Sequence, residues 1–231
     1  MTDAKDKLIV VLDLPAYEAA RDLVNQLGDT VTFYKIGLEL LFSDGLTLAR
    51  ELKQEGKRVF LDLKFLDIGN TVERAVASAA DLGVDFLTVH GHDTKTLKAA
   101  VRGRAGSNLK LLAVTVLTSL DQSDLDEQGL SLTPGELVLS RAQLAKNAGI
   151  DGVIASGQEA AAVRAKTGAD FLIVTPGIRL PGGDAGDQTR ITTPEDALRA
   201  GADHLVVGRP INAAKYPKAA AEAFLERIAS A

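Results

Sequence analysis

Short apolar segments rich in valine, isoleucine and leucine recur at nearly even intervals along the whole chain. Each segment is almost continuously apolar, which is typical of strands that are buried on both faces in a parallel sheet. Segments with a helical spacing of apolar residues, such as 72–83 and 220–228, lie between them. The eight predicted strands are residues 8–14, 32–38, 58–64, 86–91, 110–117, 152–156, 171–177 and 204–210.

Eight strands that alternate with helices in 231 residues predict a single-domain (β/α)₈ TIM barrel over residues 1–231. A doubly wound open sheet is the alternative, because periodicity alone does not show whether a sheet closes. Pro134, Pro194 and Pro217 each stand where the first turn of a helix is expected. Asn70, with Glu73 three residues later, predicts a capping box at the start of the third helix.

Composition excludes several classes of protein. The chain has no cysteine, which rules out disulfides, thiolate nucleophiles and cysteine-based metal sites. A formal net charge of -5 argues against a nucleic-acid partner held by a broad basic surface. No apolar run reaches the roughly 18 residues of a membrane-spanning helix, and the first residues carry no signal-peptide core. We therefore expect a cytoplasmic protein with no membrane partner.

The most unusual charges lie around the end of the third predicted strand. Asp62 and Lys64 are two positions apart, so their side chains share one face of a strand, and Asp67 follows just beyond. Lys35 lies near the end of the second predicted strand. Because active sites of (β/α)₈ barrels form at the carboxyl ends of the strands, we expect these four charges to meet there. Flanking carboxylates would keep Lys64 protonated.

A salt-bridge cluster that merely stiffens the barrel mouth is the structural alternative for these four charges. Exposed ion pairs contribute only about 0–1 kcal/mol to the free energy of folding. For buried pairs, the loss of hydration often outweighs the attraction between the charges. Stability is therefore a weak reason for the cluster, and a preorganised electrostatic site is the favoured interpretation.

A second candidate site follows predicted strands seven and eight. Residues 177–188 form a long glycine-rich segment, and Gly208 and Arg209 follow the last strand. Loops after these two strands commonly bind phosphate through backbone N–H groups and an arginine. We therefore predict a phosphate site formed by Arg179, Gln188, Gly208 and Arg209. The alternative is a flexible surface loop beside a solvated arginine.

Other motifs are weak or absent. His90 and His92 share a predicted strand face, but no third ligand is evident, so we expect no metal and interpret both as satisfied polar contacts. The glycine-rich segment lacks the Rossmann spacing, and no Walker A motif occurs. No serine nucleophile with a base at a recognisable spacing is present.

The motif Asp62-x-Lys64-x-x-Asp67-Ile68-Gly69-Asn70-Thr71 resembles the signature of the orotidine 5′-monophosphate decarboxylase family. Further matches follow in order along nearly the whole chain, and together they are specific. The sequence departs from the common family pattern at Leu66, where many members have His, at Gly69, where many have Pro, and over residues 89–94. The further matching segments are residues 12–13, 35–37, 113–119, 174–179, 187–188 and 207–210.

The resemblance implies decarboxylation of orotidine 5′-monophosphate to UMP, the last step of de novo pyrimidine nucleotide synthesis, without metal or cofactor. Lys64 would protonate C6 after carbon dioxide leaves. Asp62 would lie against the substrate carboxylate and raise its ground-state energy, while Lys35 and Asp67 complete the charge array.

Substrate-binding positions and a dimer are also implied by the resemblance. Asp67 and Thr71 would reach into the neighbouring subunit's site, so the functional unit would be a homodimer. The implied substrate contacts are Asp13 and Lys35 at the ribose; Thr118, Ser119 and Pro176 at the pyrimidine; Arg179, Gln188, Gly208 and Arg209 at the phosphate; and in addition Asp62, Ile68 and Thr71.

Two other functions remain open on the sequence alone. One is a sugar-phosphate lyase resembling 3-keto-gulonate 6-phosphate decarboxylase or hexulose-phosphate synthase, which carries the Asp-x-Lys-x-x-Asp element but uses Mg²⁺ and has an acidic residue at the position of Lys35. The other is a catalytically silent barrel that binds a phosphorylated ligand or acts as a dimeric scaffold. Lys35 and the pair Thr118-Ser119 favour the nucleotide enzyme.

Overall fold

Eight parallel strands close into a barrel in chain order, and β8 pairs with β1. The structure is a computed structural model that describes residues 4–182 and 190–231. The predicted (β/α)₈ barrel is confirmed, and the alternative of an open doubly wound sheet is wrong. The strands are β1 (Leu8–Val11), β2 (Phe33–Ile36), β3 (Arg58–Phe65), β4 (Phe86–His90), β5 (Lys110–Val114), β6 (Gly152–Ile154), β7 (Leu172–Thr175) and β8 (His204–Val207).

Helices follow the strands and cover the outside of the barrel. A 3₁₀ turn (Gly28–Thr30) and a π-helical turn (Leu41–Gly45) lie between them. Within the described ranges, no helix is long and apolar enough to span a membrane. The helices are α1 (Ala4–Lys7), α2 (Tyr17–Leu27), α3 (Leu38–Leu40), α4 (Leu46–Gln54), α5 (Gly69–Asp81), α6 (Thr94–Gly103), α7 (Gln122–Glu127), α8 (Pro134–Ala148), α9 (Ala160–Thr167), α10 (Pro194–Arg199), α11 (Arg209–Asn212) and α12 (Pro217–Ala229).

Helix starts agree with the sequence in three cases and differ in one. Pro134, Pro194 and Pro217 are the first residues of α8, α10 and α12, where the missing proline N–H leaves no helical hydrogen bond unmade. The capping box predicted at Asn70 is wrong. Helix α5 starts at Gly69 with Ile68 as its cap, so Asn70 lies inside the first turn and lacks the extended backbone of a capping residue.

The barrel interior is apolar toward the amino ends of the strands and polar toward their carboxyl ends. An inward-facing cluster fills the interior, and helices cover the larger apolar layer outside the sheet. Because alternate side chains of a strand face the same way, the inward positions two residues after Phe33, Phe60 and Phe86 are Lys35, Asp62 and Thr88. The inward cluster comprises Ile9, Val11, Phe33, Phe60, Phe86, Leu112, Val174 and Val206.

Strand β3 is irregular where its charges begin. Leu61 lies opposite Leu87 of β4, but the next paired residue, Phe65, lies opposite Val89, so β3 uses two more residues than β4 over this interval. Lys64 lies in the left-handed region with a φ of 50°. Such backbone is uncommon for a residue other than glycine and occurs frequently at functional sites. A bulge in a strand also redirects side chains, which here concerns Asp62 and Lys64.

Candidate active site

A cavity of about 560 Å³ opens at the carboxyl ends of the strands, where active sites of this fold form. Val11, Phe60 and Val206, which belong to the inward apolar cluster, form part of its lining. Residues from several different strands supply its polar groups. Of the positions predicted from the sequence, Asp13, Lys35, Asp62, Lys64, Thr118, Pro176, Arg179, Gly208 and Arg209 line this cavity.

Carboxylates and ammonium groups alternate along one side of the cavity. Lys35 Nζ lies 3.1 Å from Asp13 Oδ2 and 3.2 Å from Asp62 Oδ2. Lys64 Nζ lies 2.9 Å from Asp62 Oδ1. We call these four residues the charge chain. A Cβ on Gly37 would lie 2.4 Å from Asp13 Oδ1, so glycine at this position leaves room for the first pair.

Lys35 and Asp62 are the most buried members of the charge chain, with side chains 8% and 14% exposed. Burial alone lowers the pKa of Lys35, but the charges of Asp62 and Asp13 outweigh it, so the pKa is raised. Burial alone raises the pKa of Asp62, but Lys35 and Lys64 outweigh it, so the pKa is lowered. Both groups are therefore ionised at neutral pH.

Thr88 supports the charge chain from the neighbouring strand. Its hydroxyl donates to Asp62 Oδ1 over 2.9 Å and accepts the backbone N–H of Lys64 over 2.9 Å. One side chain therefore connects the carboxylate to the backbone of the bulge. Thr88 was not among the site residues predicted from the sequence, although its position two residues after Phe86 is a signal that identifies it.

Asp67, Ile68 and Thr71 do not join the charge chain of their own barrel. All three are exposed, and Asp67 Oδ1 accepts the backbone N–H of Ile68. Asp67 makes no ion pair within the described ranges. We expected one barrel to bring Asp67 together with Lys35, Asp62 and Lys64. That expectation is corrected for Asp67. The chain leaves β3 after Phe65 and turns directly into α5, which leaves Asp67 on the rim.

Ser119, predicted at the pyrimidine, does not line the cavity. Its side chain is exposed, whereas its neighbour Thr118 lines the cavity. Gln188, predicted at the phosphate, lies outside the described residues.

Guanidinium groups line the part of the cavity that follows β7 and β8. Arg179, only 8% exposed, follows β7, and its backbone N–H donates to the Thr192 carbonyl over 3.0 Å. Gly208 follows β8 and precedes α11, which begins at Arg209. Asn212 donates to the carbonyl of Val11 over 3.2 Å and so holds α11 against β1. Paired guanidinium groups near backbone N–H groups suit an anionic ligand.

An ion pair near the cavity was not predicted from the sequence. Arg190 NH1 lies 2.6 Å from Glu159 Oε1, and Arg190 NH2 donates to the Leu117 carbonyl over 2.8 Å. Their side chains are 11% and 12% exposed. The partners are 31 and 73 residues apart in sequence, so no local pattern indicated this contact.

His90 and His92 stack on one another outside the cavity lining, with ring centroids 4.6 Å apart. Burial, assisted by the nearby charge of His92, lowers the pKa of His90 to about 4. His90 Nδ1 is buried without a hydrogen-bond partner, which corrects the expectation of satisfied polar contacts. Residues 4–182 and 190–231 contain no group of three or more potential metal-binding histidine or carboxylate side chains.

The chain is similar to known proteins along almost its whole length. The model of the family described as "Orotidine 5'-phosphate decarboxylase / HUMPS family" matches residues 6–224. A protein of Rhodopseudomonas palustris (strain BisA53) named orotidine 5'-phosphate decarboxylase is 54% identical over 229 residues, covering 99% of this chain and 97% of that protein. A second protein with that name, from Methylobacterium radiotolerans, is also 54% identical over 229 residues and covers 99% of each chain.

A solved structure supports the same conclusion. The crystal structure of orotidine 5'-phosphate decarboxylase from Lactobacillus acidophilus superposes with a TM-score of 0.84 at 41% identity. The match covers 96% of this chain and 98% of that one. A match to a family model over almost the full length, together with relatives above half identity, shows the family. This chain is an enzyme of the orotidine 5′-phosphate decarboxylase / HUMPS family.

Proposed function

We propose that this protein converts orotidine 5′-monophosphate to UMP and carbon dioxide, in pyrimidine nucleotide synthesis in the cytoplasm. The observation that carries the proposal is one cavity lined by both the charge chain and the two arginines Arg179 and Arg209. Its volume of about 560 Å³ suits one nucleotide.

The reaction needs charge stabilisation and a proton. The bond between C6 and the carboxylate breaks, carbon dioxide leaves, and the electron pair remains on C6. No adjacent carbonyl delocalises this pair, so electrostatic stabilisation by the protein must lower the barrier. Lys64 Nζ donates a proton to C6, which yields UMP and a neutral amine that solvent then reprotonates.

Asp62 and Lys35 have separate parts in this mechanism. Asp62 is ionised, as its lowered pKa requires, and its negative charge lies against the substrate carboxylate and favours loss of carbon dioxide. Lys35, held between Asp13 and Asp62, keeps the carboxylates in place. Asp13 and Lys35 also contact the ribose hydroxyls.

Binding energy from the ends of the substrate orders the reacting centre. Thr118 and Pro176 contact the pyrimidine, and Arg179, Gly208 and Arg209 bind the phosphate; their position in the cavity lining supports both assignments. The assignments of Ser119 at the pyrimidine and Gln188 at the phosphate rest on the family resemblance.

The active unit in this proposal is a homodimer in which each barrel supplies groups to its partner. Asp67 and Thr71 are exposed on the rim and would complete the neighbouring site, with Ile68 beside them. Support comes from Asp67, which makes no ion pair with the residues that the structure describes, and from the apolar side chains of Leu66 and Ile68, which are 50% and 74% exposed. A partner barrel would cover these apolar groups.

Loss of orotidine 5′-monophosphate, followed by ultraviolet absorbance in the presence of EDTA, tests the proposed reaction. We expect conversion to UMP at an undiminished rate in EDTA. A folded protein that left the nucleotide intact but cleaved a sugar phosphate with Mg²⁺ would contradict the proposal and support the lyase alternative. Nucleotide binding without conversion would support the silent barrel.

A further inference from the structure

Arg190 connects the loops that follow three consecutive strands. It lies between β7 and α10, and its guanidinium group contacts Glu159, which follows β6, and the Leu117 carbonyl, which follows β5. The two distances are 2.6 Å and 2.8 Å. Because a guanidinium group is planar and carries its donors in a fixed fork, both contacts constrain the loops relative to one another.

Stability alone does not account for this ion pair. Buried pairs are weak evidence for stability, because removing two charges from water costs about as much as their attraction returns. Arg190 Nε and Glu159 Oε2 are also buried without hydrogen-bond partners in the described part of the chain. If the ion pair served stability alone, these two buried atoms would be expected to have hydrogen-bond partners. Its connections to the cavity offer a better explanation.

On one side, Arg190 holds the loop that carries Thr118. The Leu117 carbonyl belongs to the peptide unit that joins Leu117 to Thr118, so the contact from Arg190 orients this peptide. Thr118 and Leu117 both line the cavity. Loss of this contact would therefore free the Thr118 side of the cavity to shift.

On the other side, Arg190 is joined to the position of Arg179. Thr192, two residues after Arg190, accepts the backbone N–H of Arg179 over 3.0 Å and donates its own to Gly177 over 3.2 Å. A Cβ on Gly157 would lie 2.3 Å from Thr192 Cγ2, so this segment packs against the loop after β6 as closely as glycine allows. A continuous set of contacts therefore runs from Thr118 to Arg179.

We propose that Arg190 is a positioning residue that makes the placement of Thr118 depend on occupation of the anion site at Arg179. This inference rests on the proposed function, because it assigns the two ends of the cavity to the base and the phosphate of one nucleotide. A ligand with a phosphate then orders both ends, whereas a ligand without one leaves the Thr118 loop dependent on its own contacts.

The test compares orotidine 5′-monophosphate with orotidine, the nucleoside without phosphate, by release of radiolabelled carbon dioxide. We expect Arg190→Met to reduce kcat/KM for the nucleotide by on the order of 100-fold, the effect of a misplacement of about 1 Å. For the nucleoside we expect a reduction of less than about 3-fold, because that substrate gains nothing from the connection. Arg190→Lys keeps the positive charge but loses the forked donors of the guanidinium group. Its kcat/KM for the nucleotide should lie between those of Arg190→Met and the natural protein.

Arg199→Met is the matched control. Arg199 lies on α10 and forms an exposed ion pair with Asp196, so its removal should change neither substrate's kcat/KM. Equal losses for nucleotide and nucleoside in Arg190→Met would show a merely structural role and overturn the inference, as would no loss for either. A natural protein that did not convert the nucleotide would instead overturn the proposed function itself.

Discussion

Lys35 and Lys64 share one carboxylate but differ in exposure and in the number of their partners. Lys35 is 8% exposed and lies between two carboxylates, and these raise its pKa against the effect of burial, which acts in the opposite direction. Lys64 is 30% exposed, and among the described residues its one ion pair is with Asp62. The lysine with freedom to approach a substrate is thus Lys64, which is why the proposed proton transfer uses it.

Removing the proton donor should abolish turnover without unfolding the barrel. We expect Lys64→Ala to lower kcat by about 100- to 10,000-fold or more, the usual contribution of a general acid. Ultraviolet assays give kcat, and circular dichroism verifies the fold. Lys98→Ala on the exposed face of α6 is the control and should retain full activity. Near-normal turnover by Lys64→Ala would refute the assignment.

Asp62 should make stability depend on pH in the acid range. Its pKa in the folded protein is below the ordinary value of 3.8, so its stabilising contribution is full above that value and is lost as pH falls through the folded pKa. We expect Asp62→Asn to lower the free energy of unfolding by about 1–3 kcal/mol at pH 7.

Urea denaturation of both proteins at a series of pH values measures this contribution. The difference between them should shrink as pH falls below 3.8. A difference that stays constant across the acid range would contradict the lowered pKa.

At the scale of one element, the bulge in β3 positions the site. A regular strand would place Asp62 and Lys64 side by side, but the structure reaches their contact through an irregular pairing with β4 and a left-handed Lys64 backbone. Thr88 contacts both the carboxylate of Asp62 and the backbone of Lys64. Strand β4 therefore determines the geometry of charges that β3 carries.

Loss of the Thr88 hydroxyl should affect activity as well as stability. Thr88→Val keeps the volume but leaves Asp62 and the Lys64 N–H without this partner, so we expect a loss of about 1–3 kcal/mol in the free energy of unfolding. A fall in kcat of about 10-fold is expected if Lys64 moves.

Thr115→Val is the matched control for that variant. The Thr115 hydroxyl donates to the Ile154 carbonyl over 2.8 Å and does not contact the charge chain. We expect a similar loss of stability from urea denaturation but little change in kcat. If the two substitutions changed kcat equally, Thr88 would have no specific role in positioning Asp62 and Lys64.

At the scale of the whole molecule, one barrel supplies two sides of a cavity and leaves part of the predicted site on its rim. The charge chain comes from β1, β2 and β3 or the residues just after them, and the guanidinium groups follow β7 and β8. Asp67 and Thr71 are exposed beyond the cavity. In the proposed function a second copy of the chain brings these residues to the site, so assembly is part of the proposed mechanism.

Mixing two inactive variants tests this shared site. Lys64→Ala and Asp67→Ala should each be nearly inactive alone. In a heterodimer formed by subunit exchange, one site lacks both residues and the other is complete, so an equal mixture should recover about a quarter of full activity. Absence of recovery, with exchange verified by mass spectrometry, would mean that Asp67 does not act across the dimer.

Much of the barrel was predictable because its evidence is local. Seven predicted strands contain the observed strand, and β3 extends one residue beyond its predicted range, because a short run of valine, isoleucine and leucine needs only its own neighbours to indicate a buried strand. That Asp62 and Lys64 share one face of a strand was predicted from the two-residue repeat. The position of Asp67 did not follow, because the path of the chain beyond β3 depends on how α5 packs.

Local patterns were enough to predict the eight strands, their alternation with helices, the charged residues at the strand ends and, through an ordered series of motifs, the family. Closure of the sheet, the bulge of β3 at Lys64 and the contacts of Arg190 with Glu159 and Leu117 became evident only from the fold. The physical reason is distance along the chain. Strand periodicity is expressed within a few residues, whereas closure, register and an ion pair across 31 residues arise from packing between segments that no local pattern relates.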